Sequence, residues 1–312
     1  MSSDIGDGSS RSEAVGYCGS HGGSPYDYRE LLCHALVFYE ANRSGYLPSD
    51  QRVEWRGDSA LNDGADNGVN LEGGYYDAGD LVKFGFPLAF SVTFLSWGYI
   101  AYGEAYVQAG QTQYLEKTIK WATDFILKAH TTPTTIWAQV GDALLDHSLW
   151  GPPEDMTMAR PSYKLDQDAP GKLEIFILAL LAELLGGNYL NILQSNIAEL
   201  RNLQTTPGGM HYFQHWGSLR YALNHGFIAF RAADLGLDTA ANNEFGERQI
   251  NYALGSNPRS SSYVVGVGNN PPTHCHHRAA SCPGPGIPCG WDYGNSANPN
   301  PHILYGAIAE SE

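Results

Sequence analysis

Apolar residues recur at three- and four-residue intervals from Asp27 to Tyr39. Tyr28, Leu31, Leu32, Ala35, Leu36 and Tyr39 share one face, which predicts a first helix. Phe86 to Val107 predicts a second, apolar on nearly all sides and so placed in an inner layer, with Phe90, Phe94, Trp97, Ile100 and Ala101 inward. Thr112 can cap a third helix running to about Ala129, with Leu115, Ile119, Ala122 and Ile126 as its stripe and Glu116 and Lys120 on the wet face. Ile136 to Val140 reads as a short extended piece. Leu173 to Leu185, Tyr189 to Leu203, Ser218 to Leu235 and Thr239 to Leu254 complete a set of about seven helices. Ile303 to Ala309 looks like the start of one more.

Between these elements the period disappears. Asn42–Asn70, Gly141–Gly171 and Ser256–His302 are long and rich in Gly, Asp, Asn and Pro, and loops of that length in a compact domain are usually functional. Arg56, Asp58 and Asp63 are placed to brace the first of them through charged hydrogen bonds. Periodicity therefore yields an all-α domain over 26–312 with long loops, preceded by a Gly/Ser-rich leader, 1–25, that reads as disordered.

Charge narrows the partners. Eighteen basic residues stand against 33 acidic ones, a formal net charge of -15, which argues against nucleic acid or an anionic membrane as partner. No apolar run is long enough to span a bilayer, and the leader lacks the apolar core of a signal peptide. Five cysteines give no legible disulfide framework. Cys275, Cys282 and Cys289 recur every seven residues beside His274, His276 and His277, which leaves a zinc site as an alternative, although the spacing is not that of structural zinc sites.

Candidate chemistry gathers in residues 72–90, where Asp77 and Asp80 lie three apart in the run Gly74-Tyr75-Tyr76-Asp77-Ala78-Gly79-Asp80. One helical turn would aim both carboxylates the same way, and carboxylates beside aromatic rings suit acid–base chemistry on a sugar. The bland alternative is a helix start, with Asp80 capping the segment near Phe84.

The surrounding runs resemble glycoside hydrolase family 9, the endoglucanases. They are Tyr39-Glu40-Ala41-Asn42-Arg43-Ser44-Gly45-Tyr46-Leu47-Pro48, Val53-Glu54-Trp55-Arg56-Gly57-Asp58-Ser59, Asn62-Asp63-Gly64, Trp150-Gly151 with Pro153-Glu154-Asp155-Met156, Arg160-Pro161-Ser162-Tyr163-Lys164, Gly268-Asn269-Asn270 and His276-His277-Arg278. The resemblance implies an (α/α)6 toroid of the six-hairpin glycosidase type, here incomplete. It also implies an inverting endo-β-1,4-glucanase acting on cellulose or its oligomers, without cofactor or metal, monomeric and extracellular. On that pattern Asp80 is the general base and Asp77 positions the water. His276 and Arg278 contact the sugar, and Trp150, Tyr163 and Tyr76 hold it; Trp150 has a core residue as its alternative, and Trp216 and Trp291 are weaker candidates. Lys164, Asp166 and Asp168 would brace the loop.

Several departures qualify the resemblance. Leu149 stands where many members have a second tryptophan, and Ser256 replaces a usual aspartate. The glutamate signature of the general acid has no counterpart: Glu310 and Glu312 lack its flanking pattern. After Asp168 the chain passes to Lys172-Leu173-Glu174 without the family's following helices, so no calcium site is carried over. Truncation and internal deletion lead to the expectation of impaired turnover, with a non-catalytic β-glucan-binding remnant as the alternative.

Overall fold

In the computed structural model the described residues are 18–19, 26–132, 135–165, 188–213 and 215–309. The helix expected at Leu173–Leu185, nearly all of the leader, and Asp166, Asp168, Glu310 and Glu312 lie outside them. The chain forms two compact units, one of residues 1–170 with 273–307 and the other of 171–272 with 308–312.

The first unit opens with α1 (Tyr28–Ala41), started by Asp27, whose carboxylate accepts the amides of Arg29 and Glu30. After the long loop come β1 (Lys83–Phe84), α2 (Gly85–Gln108), α3 (Thr112–Ala129), β2 (His130–Thr132), β3 (Thr135–Val140), α4 (Ala143–Ser148) and β4 (Ser162–Leu165). Two one-turn helices follow from the C-terminal segment, α8 (Arg278–Ser281) and α9 (Trp291–Gly294), numbered after the three helices of the second unit. Helices dominate, but the irregular stretch expected at 141–171 contains α4 and β4, and β3 is the centre of a small antiparallel sheet. It pairs with β4 along its length and with β1 and β2 at its two ends, Lys83 opposite Val140 and His130 opposite Ile136.

That register places the chemistry. Asp80 lies three residues before Lys83, and α4 begins three residues after Val140, so the sheet brings the Asp77–Asp80 turn beside α4. The core behind it is Leu71, Tyr75, Leu88, Val92, Ala122, Phe125, Trp137 and Val140. Helix α2 departs from the expectation of an inner-layer helix. Leu88, Val92 and Trp97 are buried, but Ile100, expected inward, is 81% exposed, and Phe86 and Val107 are exposed too.

The loop 42–70 is held by buried charge. Arg56 donates to Glu154 at 2.8 Å and to the carbonyls of Ala41 and Arg43. Asp58 accepts the Leu47 amide at 2.7 Å. Asp63 receives Arg160 through both oxygens, at 2.7 and 3.0 Å, and Lys83 Nζ at 2.7 Å. Lys83 also donates to the carbonyls of Leu71 and Gly73, and burial pushes its ammonium down to about 8 while Asp63 pulls the other way.

The second unit contains α5 (Asn188–Arg201), α6 (Ser218–Asp234) and α7 (Thr239–Leu254). α6 and α7 pack over Met210, Leu219, Ala222, Tyr252 and Ala253, and Gly246 leaves room for the Phe230 ring, which a Cβ would strike. The terminal segment is not a helix start. Gly306 takes φ 77°, Ile308 forms an antiparallel bridge with Val264, and the Ala309 amide donates to Tyr263.

Two disulfides, Cys18–Cys33 and Cys282–Cys289, replace the zinc alternative, since two of its three cysteines are joined to each other. Cys275 is a buried thiol that burial pushes up to about 12, so it stays protonated.

Two predictions follow from the buried charges. Asp63→Ala leaves Lys83 and Arg160 without their anion, and the unfolding free energy in urea, followed by circular dichroism, is expected to fall by about 3–5 kcal/mol. His277 is buried as the neutral ring: Nδ1 accepts the Ala280 amide at 3.1 Å and Nε2 faces Asn42 Oδ1 at 3.1 Å. Burial, then Arg56 and Arg278, push it from 6.5 down to about 3, and burial pushes His34 and His225 down to about 4. The unfolded chain takes up these protons before the folded one, so their stabilisation is complete above pH 6.5 and is lost as pH falls toward 4. Melting temperatures measured across that window are expected to drop, and His277→Gln to flatten the slope.

Candidate active site

The turn that carries the two aspartates is closed by backbone bonds. The Asp80 amide donates to Asp77 O at 3.0 Å, and the Asp77 amide to Val82 O at 3.0 Å. Ala78 holds the left-handed conformation at φ 52°, a strained setting for a residue with a Cβ. Gly79 is required for a different reason: a Cβ there would run into the carbonyl of His276. The aspartate turn and the histidine segment are thus in direct backbone contact. Asp80 does not cap the helix that follows; Phe84 occupies that position.

His276, His277 and Arg278 come from far along the chain and serve different ends. The Arg278 guanidinium is 2% exposed. Its Nε donates to Leu149 O at 3.2 Å, Nη1 to Gly79 O at 3.0 Å and to Asp80 Oδ1 at 3.1 Å, and Nη2 to Asp146 O at 2.8 Å. Nη2 also lies 3.0 Å from Asp146 Oδ2. Arg278, expected to grip sugar oxygens, is committed to protein partners and holds Asp80 instead. Asp80 itself is about 25% exposed and faces outward from this anchor.

Asp146 and His147 were not singled out in the sequence. Both sit on α4, and the available signal was an adjacent titratable pair just ahead of Leu149-Trp150, in a helix started by Asp142. His147 is exposed, with Nδ1 2.5 Å from Ala143 O and Nε2 3.8 Å from Asp80 Oδ1. Asp146 is buried, and burial pushes its carboxyl up against the opposing pull of Arg278. Asp80, Asp146 and His147 bring one ligand atom each within 4.8 Å of one another. The guanidinium of Arg278 already lies against both carboxylates, so the group reads as an ion-pair network.

The expected sugar-holding rings divide into buried and open ones. Trp150 is 6% exposed: Nε1 donates to Ser281 Oγ at 2.9 Å and Arg278 lies over its face, 5.0 Å from the ring centre. That is the core alternative. Tyr76 is buried too, its hydroxyl bonded to Ser59 Oγ at 2.9 Å. His276 and Trp291 pack on Trp150, with ring centres 4.7 and 4.9 Å away, and both are exposed. Tyr163 on β4 is exposed and bonds Asp142 at 3.2 Å. Trp216 is exposed on the second unit. A cleft of about 140 Å³ opens beside this cluster, lined by Leu81, Leu149, Trp150, Asp155, Met156 and Arg278. The Cys282–Cys289 bridge begins at the residue after α8 and ends two residues before α9, tying the helix of Arg278 to that of Trp291.

Known proteins are similar to this chain in sequence and in fold. The family described as Glycosyl hydrolase family 9 matches residues 28–183 and 186–311. Endoglucanase B of Cellulomonas fimi is 34% identical over 407 residues, covering 91% of this chain and 38% of that protein. Endoglucanase 20 of Oryza sativa subsp. japonica is 54% identical over 149 residues, 48% of this chain and 29% of that protein. The chain therefore spans well under two thirds of either relative. In the alignment with the Cellulomonas fimi protein, 91% of 312 residues occupy 407 positions, so more than a quarter of the positions face no residue of this chain. The structure of the endoglucanase from the termite Nasutitermes takasagoensis superposes with a TM-score of 0.86 at 35% identity, over 91% of this chain and 90% of that one. Matched from its first helix to its last bridge, the chain belongs to glycosyl hydrolase family 9.

Proposed function

We propose that the chain binds β-1,4-glucan as a monomer and hydrolyses its internal glucosidic bonds with inversion, with Asp80 as general base. The observation that carries this is the bond from Arg278 to Asp80 Oδ1, on a turn fixed by its own backbone, within a chain matched to family 9 almost throughout. With Oδ1 held, Oδ2 of Asp80 takes the proton of a water that Asp77 steadies. The water oxygen attacks the anomeric carbon on the face opposite the leaving oxygen. The glycosidic C–O bond breaks, its electron pair passes to the leaving oxygen, and that oxygen takes a proton from an acid some 6.5–9.5 Å from the base. His276 and Trp291 supply an open face on which sugar C–H groups can pack while hydroxyls keep polar partners. An extracellular site of action is supported by the two disulfides, which persist in oxidising compartments.

Turnover by these 312 residues is proposed to be low. No glutamate among them has the flanking pattern of the family's general acid, and the alignment gap falls on sequence that relatives possess. The same observation favours a second reading, a non-catalytic β-glucan-binding protein.

Isothermal titration with cellotetraose, with reducing ends assayed on the same samples, separates the two. Binding with release is the hydrolase outcome, and Asp80→Ala is then expected to lower the rate by about 10²–10⁴-fold with binding retained. Binding without release selects the non-catalytic reading. Absence of binding overturns both.

A further inference from the structure

Asp146 is a buried carboxylate that the proposed chemistry leaves without a role. It is 1% exposed, deep enough that an unpaired charge would be strongly disfavoured. Its contacts converge on the base. Oδ1 accepts the amide of Leu81, the residue after Asp80, at 3.0 Å. Oδ2 lies 3.0 Å from Arg278 Nη2 and 3.5 Å from His147 Nδ1. Arg278 Nη1 in turn donates to the carbonyl of Gly79, the residue before Asp80, at 3.0 Å. The base is therefore clamped on both sides of its own backbone, at Gly79 through Arg278 and at Leu81 through Asp146.

The guanidinium links two carboxylates, Asp146 through Nη2 and Asp80 through Nη1. The carbonyls of Leu149, Gly79 and Asp146 already orient the guanidinium. The buried Asp146 carboxylate adds a second counter-charge 3.0 Å from Nη2, so the cation stays paired in this place and presents Nη1 to Oδ1. The carboxylate of Asp80 then has one oxygen tied and its plane set.

We infer that Asp146 is a positioning residue for the general base, holding Arg278 and the Leu81 amide so that Asp80 presents a fixed oxygen to the water. This rests on the reading of Asp80 as base. Asp146→Asn keeps an oxygen for Leu81 but loses the charge and can turn an amide toward Arg278. A positional error of about 1 Å at a reacting group costs on the order of 10²-fold in rate.

The experiment compares wild type, Asp146→Asn and Asp80→Ala for kcat and KM on cellotetraose, for melting temperature, and by crystallography of the first two. The expected result is a fall in kcat of about 10- to 100-fold for Asp146→Asn, measured well below its melting temperature, with KM held, a lowered melting temperature from the lost buried charge, and the Arg278–Asp80 bond broken or turned. An unchanged kcat, or a lost kcat with that bond intact, overturns the inference. If wild type releases no sugar, the hydrolase reading fails by itself. The crystal structures then decide: an Arg278–Asp80 bond unmoved in Asp146→Asn overturns the positioning role, and a displaced one supports it. Neutron diffraction on wild type covers a variant that does not fold. A bare Asp146 carboxylate against a fully charged Arg278 is expected, and a deuteron on Asp146 overturns the inference.

Discussion

A guanidinium taken out of water must be surrounded by acceptors, and this one is. Arg278 gathers three carbonyls and two carboxylates from the aspartate turn and from the segment of α4 and its exit. These segments are distant in sequence, and the pairing of β1 with β3 brings them together. The buried charge then ties them at their polar groups. The arrangement also explains why the glycine before Asp80 cannot carry a side chain, since the turn and the histidine segment meet backbone to backbone.

A second buried network repeats the device around Asp63. Asp63 collects Lys83 and Arg160, and Arg160 donates onward to the carbonyl of Leu81 at 2.5 Å. The residue after the base is thereby held at its amide by Asp146 and at its carbonyl by Arg160. Two ion-pair clusters meet at a single residue, on the peptide groups either side of it. Loops without periodic structure can be rigid when their polar groups are satisfied in this way.

Much of this was legible in the sequence, for physical reasons. Helices such as Thr112–Ala129 and Thr239–Leu254 announce themselves through period and match the expected bounds, and Tyr28–Ala41 differs by a residue or two. The expected caps Thr112, Ser218 and Thr239 are instead the first helical residues, behind Gln111, Gly217 and Asp238, because a hydroxyl can cap only when the residue stands outside the first turn. Asp63 and Arg56 were readable as braces because charged residues in a long aperiodic loop need partners. The small sheet was only partly readable, since strands of two to four residues leave no period to detect. Ile100 misled because an apolar helix face says nothing about which neighbours cover it. Arg278 was placed at the sugar by the family resemblance, and Trp150 as a platform with a core position as its alternative; both are buried, and burial is a property of the packed unit. Asp146 was given no role because a carboxylate in a loop looks solvated until its partner, more than a hundred positions away, is placed beside it.

The bridge from Cys282 to Cys289 starts at the residue that ends the one-turn helix of Arg278. A single turn of helix has almost no stability of its own, so covalent closure of the following loop takes over part of the task of keeping that arginine in place. The electrostatics around Asp80 are in this sense coupled to the redox state of the surroundings. The same polypeptide made in a thiol-rich cytosol and in an oxidising lumen would carry identical residues around differently tethered charges.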